Sequence, residues 1–168
     1  MKRITRWLRH RWFDETDARR ALDSAALARL QERIATSERR HSGEIRLCVE
    51  ASLPLSYLWR NATARERALS LFGKLGVWDT EANNGVLIYV LLAEHAIEIV
   101  ADRGLARHVP QAHWDGLVGA MTQAFRAGHF EQGLAQAIEA VDAELAQHFA
   151  LKDGHANPNE LPNAPTLL

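Results

Sequence analysis

Apolar residues recur at helical spacing through Leu27, Leu30 and Ile34, with Arg29, Glu32 and Arg33 on the other faces and Asp23-Ser24 as a cap just ahead. This predicts an amphipathic helix. His41-Ser42-Gly43 breaks the period, and EIRLCVEA then alternates, Ile45, Leu47 and Val49 against Arg46, Cys48 and Glu50, as a strand does. After Pro54, the stretch Thr63 to Glu66 reads as a capping box, followed by an apolar face of Ala68, Leu69, Leu71, Phe72 and Leu75 that ends near Gly73 and Gly76. Gly85 opens GVLIYVLLA, whose lack of polar alternation marks a strand covered on both faces. Glu94-His95-Ala96 separates it from IEIVA, so the two strands form a hairpin. Two more helical stripes follow, one through Trp114, Leu117, Val118, Met121 and Phe125, the other through Leu134, Ile138, Val141, Leu145 and Phe149.

The order α, β, α, β, β, α, α predicts an α/β fold, a three-layer α/β/α sandwich with a small mixed sheet, because the all-apolar strand needs a cover on each side. The first two strands run parallel through a right-handed crossover, and the third pairs antiparallel. The chain divides into a basic segment over 1–14, a folded domain over 15–151 and a tail over 152–168. Three prolines and few core formers in KDGHANPNELPNAPTLL predict disorder for that tail.

Composition narrows the function. In 168 residues, 20 Lys and Arg balance 21 Asp and Glu, so no overall field favours nucleic acid. The single Cys48 permits neither an internal disulfide nor a cysteine metal motif, which suits a reducing compartment. The basic start leads into no apolar stretch of signal-peptide length, and the run Val86 to Ala93 is far short of the ~20 residues that cross a bilayer. The expected location is cytoplasmic, with peripheral membrane contact as the open alternative.

That alternative comes from the first eleven residues, which carry Lys2, Arg3, Arg6, Arg9 and Arg11 and no acid. Ile4, Trp7, Leu8, Arg11 and Trp12 share one helical face. Arg3, Arg6, Trp7, Arg9, Arg11 and Trp12 are therefore candidates for contact with an anionic membrane or a partner protein, or the helix packs on its own domain.

A second candidate lies at the ends of the hairpin. A turn near Glu94-His95 sets residues whose numbers sum to roughly 188 to 190 opposite each other, bringing Asn84 and Gly85 beside Asp102 and Arg103. Asp79, Glu81, Asn83, Asn84 and Asp102 then share one rim, an oxygen-rich set suited to Ca²⁺ or Mg²⁺, with Arg103 available to an anion. Asp79-Thr80 and Asn83-Asn84-Gly85 also read as ordinary turn residues. No motif for an organic cofactor, no phosphate cradle and no HExxH is present.

The block LGVWDTEANNGVLIYVLLAEHAIEIVADRGL, followed by FRAGHFEQGLAQAIEAV, resembles the TPM domain family, also called TPM phosphatase or DUF477, over about residues 15 to 149. Asn84-Gly85-Val86-Leu87, Ile97-Glu98-Ile99, and Phe125 with Phe130, Gly133 and Leu134 carry the resemblance. It implies the same sandwich. It also implies divalent-metal binding or acid phosphatase activity, and matches the family's acids to Asp17, Asp79 and Glu98. The chain departs from the family pattern at Asn83, where an acid is usual, and at VADRG, which replaces a Gly-aromatic-Gly run. The resulting expectation is a divalent-metal-binding accessory or interaction module. The alternatives are a metal-dependent phosphatase and a membrane-peripheral adaptor.

Overall fold

The caps read from the sequence start the helices they predict. Asp23 accepts a hydrogen bond from the Ala26 amide at 2.7 Å, opening a helix over Ser24–Ser37. Thr63 and Glu66 form both bonds of a capping box ahead of a helix over Ala64–Lys74. The structure, a computed structural model, describes residues 2–13, 15–152 and 154–168; the side chains of residues 2–4, 15 and 120 lie outside the described set. In chain order the elements are α1 (Lys2–Trp12), α2 (Glu15–Ala21), α3 (Ser24–Ser37), β1 (Glu44–Glu50), α4 (Leu55–Trp59), α5 (Ala64–Lys74) and β2 (Gly85–Leu91). A single 3₁₀ turn (Leu92–Glu94) leads to β3 (Ala96–Ala101), α6 (Arg103–Ala106), α7 (Gln111–Arg126), α8 (Phe130–His148) and β4 (Thr166–Leu167).

The fold is a mixed α/β sandwich around an open four-stranded sheet in the order β3-β2-β1-β4. β1 and β2 are parallel with Glu44 opposite Gly85, and β2 and β3 antiparallel with Val86 opposite Ala101. β2 is buried along its whole length, as its unbroken apolar run requires. Ile45, Leu47 and Val49 join Val86, Ile88 and Val90 in one core, covered by α3, α7 and α8. Cys48, Leu87, Tyr89 and Leu91 face the other way into a smaller core with Ala68 and Leu71 of α5, Leu58 of α4 and Leu161.

Two expectations are corrected, and three short helices are added. The hairpin turns one step earlier, through the 3₁₀ turn and a left-handed His95, so Val86 pairs with Ala101 and Gly85 lies opposite Asp102. The tail expected to be disordered packs against the sheet. Leu161 is buried, Thr166 and Leu167 pair with Cys48 and Val49, and Arg46 donates to the Pro162 carbonyl, to the Ala164 carbonyl at 2.8 Å and to Thr166 Oγ1 at 2.5 Å. The short helices α2, α4 and α6 were not read from the sequence, because four to seven residues carry too little period to register.

Candidate functional site

Loop 79–84 and the start of α6 are pressed together at the rim of the sheet. The Asp102 amide donates to the Gly85 carbonyl at 2.9 Å, and the Gly104 amide to the Asn83 carbonyl at 2.8 Å. A Cβ on Gly104 would run into the Ala82 and Asn83 carbonyl oxygens, so only glycine permits this approach. The two polar ends of the hairpin therefore meet, as the register argument requires.

Their side chains do not converge as the sequence suggested. Asp79 and Glu81 are exposed, and Glu81 is held through its amide, which donates to the Glu160 carboxylate at 3.0 Å. Asn83 takes a left-handed backbone and accepts the Arg103 Nε at 2.9 Å, so both residues are already engaged. Asp102 caps α6 by accepting the Arg103 amide at 2.7 Å. Asn84 is fully buried, donating to Ser42 Oγ at 3.2 Å while its amide donates to Thr80 Oγ1 at 3.1 Å. What remains is one unpartnered buried oxygen on each of two residues, Asn84 Oδ1 and Asp102 Oδ2. Among the described residues no group of three or more His, Cys, Asp or Glu is arranged to hold a metal ion.

The family-matched acids are also dispersed. Asp17 lies within α2, 3.5 Å from Arg20. Glu98 is a half-buried β3 residue 3.6 Å from Arg65, with its carboxyl pushed up by burial and held back by that guanidinium. Behind it, buried Glu50 accepts Arg67 at 2.5 to 3.1 Å and the Tyr89 hydroxyl at 2.7 Å. The Glu50 partnership raises Arg67, and burial raises Tyr89. Burial likewise pushes the Cys48 thiol up to about 12, leaving it a core side chain with no nucleophilic character.

The N-terminal candidates form the second region, where α1 packs on its own domain, one of the outcomes the sequence left open. α1 is fastened by its polar side. Arg6 donates to Glu94 at 2.6 Å, to Asn61 Oδ1 at 3.0 Å and to the Ala62 carbonyl at 2.6 Å. His10, buried, reaches Glu94 at 2.8 Å through Nε2 and accepts the Leu53 amide at 3.1 Å through Nδ1. Burial works to raise Glu94, but His10 and Arg6 outweigh it and hold the carboxyl below its usual range. Trp7 is half-buried, edge-on to Trp59 at 6.3 Å. Leu8 stays 53% exposed and Trp12 80%, with Arg9 and Arg11 also exposed; the side chain of Arg3 lies outside the described residues. On neighbouring α4, Leu55 is 67% and Trp59 74% exposed. Between the helices lies a cavity of about 840 Å³ walled chiefly by Trp7, Leu8, Leu53, Pro54, Leu55 and Leu58.

Sequence reasoning missed His10, Glu94 and Glu160. Only the acid in an otherwise apolar hairpin turn and the lone Glu-Leu pair in the proline-rich tail signalled the last two.

Comparison with known proteins gives a match to the TPM domain over residues 16–144. The chain is similar to the BA42 protein of the psychrophilic bacterium Bizionia argentinensis, solved by NMR. That likeness has 30% identity and a TM-score of 0.74, covering 88% of this chain and 95% of the other. The N-terminal domain of a P. gingivalis protein, also an NMR structure, is 20% identical with a TM-score of 0.61, covering 78% and 82%, and supports the fold alone. No curated protein matches the chain.

Proposed function

The chain belongs to the TPM domain family, and from the geometry of α1 and α4 we propose that it is an interaction module that docks on an anionic membrane surface. One observation carries this reading: two apolar pairs at i, i+4 spacing, Leu8 with Trp12 on α1 and Leu55 with Trp59 on α4, stand exposed, and Leu8 and Leu55 line one cavity. α1 is docked by Arg6, His10 and Trp7, which leaves Leu8 and Trp12 turned outward. Arg9 and Arg11 flank the pairs, and α1 contains no acid. Trp and Leu entering the headgroup layer below a cationic rim is the chemistry of a peripheral interfacial helix. No helix among the described residues is long and apolar enough to cross a membrane, so contact would be with one leaflet.

Flotation tests this reading with neutral phosphatidylcholine vesicles and vesicles containing phosphatidylglycerol. The full chain is expected to float with the anionic vesicles at low salt and to lose most of that binding on Leu8→Ser with Trp12→Ser. Each of Arg9→Gln and Arg11→Gln should weaken binding by about fivefold, near 1 kcal/mol per basic residue. Equal flotation on neutral vesicles, or none on anionic ones, overturns the reading.

A second reading, a Ca²⁺ or Mg²⁺ ion at the sheet rim, is supported by the two unpartnered oxygens of Asn84 and Asp102. Asp102→Asn, which keeps the cap but removes the charge, should then abolish metal-induced amide shifts in loop 79–84; an unchanged response removes Asp102 from the site. Hydrolysis of a chromogenic phosphate ester is expected at the buffer rate. Enzymatic turnover lost on Asp102→Asn would instead restore the phosphatase alternative.

A further inference from the structure

We infer that the cavity between α1 and α4 binds a free long-chain carboxylate, its hydrocarbon chain lying over Leu53 and Leu58 and its head group meeting Arg11. Leu8 and Leu55 belong to the proposed membrane face as well, yet the cavity is there without a bilayer, so carboxylate binding does not depend on membrane binding. The space is about 840 Å³, within the ~300–1,000 Å³ over which small-molecule sites range. Leu53, Leu58 and His10 line it from buried positions, and Leu8, Arg11 and Leu55 from exposed ones. Carbon thus lines the deep part and a cation stands at the mouth.

The polar atoms decide the class of ligand. Both ring nitrogens of His10 are engaged, Nε2 with Glu94 at 2.8 Å and Nδ1 with the Leu53 amide at 3.1 Å. Neither the imidazole nor that amide is left for a ligand, and a polar end placed against them would lose its hydration without replacement. An alkyl chain loses nothing there, and every methylene withdrawn from water favours the complex. At the mouth the charge is of one sign. No acid lines the cavity, and among the described residues Arg11 enters no ion pair. Its guanidinium presents the planar fork of donors that a carboxylate accepts two at a time. An aliphatic floor and one guanidinium together select a monoanionic head on a single unbranched chain.

Calorimetry and amide NMR of the full chain without vesicles test the site. The probes are sodium octanoate, decanoate and dodecanoate, each below its micelle concentration, and 1-octanol as the uncharged counterpart of octanoate. The expected result is saturable binding of one carboxylate, with shifts confined to the Trp7 indole and to residues 7–11 and 52–58. Affinity should rise about fourfold per added methylene. Arg11→Gln should weaken every carboxylate about fivefold while keeping that slope, and 1-octanol should bind more weakly than octanoate by a similar factor. Ser52→Trp fills the space from a half-buried lining position and should abolish the response. If it does not fold, Arg11→Gln decides, since that side chain is exposed. Arg9→Gln lies outside the cavity and should spare carboxylate binding while it weakens vesicle binding. No saturable response to dodecanoate overturns the inference, as does affinity independent of chain length or 1-octanol binding as tightly as octanoate. Concentration-dependent sedimentation with no carboxylate response gives the cavity to a second copy of the chain and overturns it too. Flotation on anionic vesicles without dodecanoate binding removes this site and leaves the membrane reading standing; dodecanoate binding without flotation does the reverse.

Discussion

At its N-terminal end the chain docks α1 through Arg6 and His10 and turns Leu8 and Trp12 to solvent. At its C-terminal end, segment 157–168 buries Leu161 and encloses carboxylate and amide oxygens. Both ends border the same face of the sheet, the smaller core that α5 covers only in part, since Trp7 and Leu161 both pack there. One terminus satisfies its polar groups and leaves apolar surface uncovered; the other buries its apolar anchor and engages buried acids with its own amides. Surplus apolar surface suits a partner that excludes water, whereas acids bonded by the tail hold the tail to the fold. The difference lies in which groups the intramolecular contacts leave over.

The largest effect should come from the support beneath both ends. Arg67→Ala strips Glu50 of its guanidinium inside the smaller core and should cost roughly 3–5 kcal/mol in urea unfolding. A loss near 1 kcal/mol would mean that Tyr89 alone satisfies Glu50. Next is a pH effect on the tail side. His41 is fully buried, its ring nitrogens 3.1 Å from the Gly43 carbonyl and 2.9 Å from Ser37 Oγ, with Asp142 and Arg40 facing it and its carbonyl accepting Asn157. Burial lowers it to about 4. The unfolded ring takes a proton below its ordinary pKa of about 6.5 while the folded ring resists until near 4. Stability linked to His41 is thus full above pH 6.5 and falls by up to about 3 kcal/mol on the way down to 4. His41→Asn should flatten that part of the pH profile, measured by denaturation at fixed pH.

Arg46→Ala and Glu94→Gln then separate the two ends. Arg46 holds two carbonyls and a hydroxyl of the tail, so its loss should cost about 2 kcal/mol and expose amides 161–168 to hydrogen exchange, leaving α1 protected. Glu94→Gln weakens the contacts with Arg6 and His10, should cost about 1 kcal/mol, and should loosen α1 alone. Because the sites share no partner, the double variant should be additive. Marked non-additivity would show the termini to be coupled through the smaller core.

What the sequence announced was local. The Thr63 and Glu66 box, the unbroken run from Val86 and the meeting of the hairpin's two polar ends follow from period and spacing within a few dozen residues. The docking of both ends was not legible, because it depends on bonds across long separations. Periodicity identified the apolar face of α1 but not which face binds, a choice made by Glu94 lying 84 residues beyond His10. In the tail, prolines remove donors yet keep their carbonyls, and it is the Pro162 carbonyl that Arg46 takes up. At the rim the sequence could not show which side chains pair with each other: Arg103 donates through Nε to Asn83 and through its amide to Asp102.

The smallest thermodynamic effect should be the most informative about function. Leu8→Ser with Trp12→Ser removes two large side chains that are mostly in water already, so folding stability should change by no more than about 0.5 kcal/mol. The Arg6 and His10 anchors remain, and α1 should keep its exchange protection. If stability instead drops by 2 kcal/mol or so, these residues are covered in the folded protein in solution, and the contrast between the two ends disappears. If stability holds and binding to anionic vesicles is lost, the apolar pair serves association and not folding. The N-terminal helix would then be a surface held ready by its polar face, while the tail completes the fold.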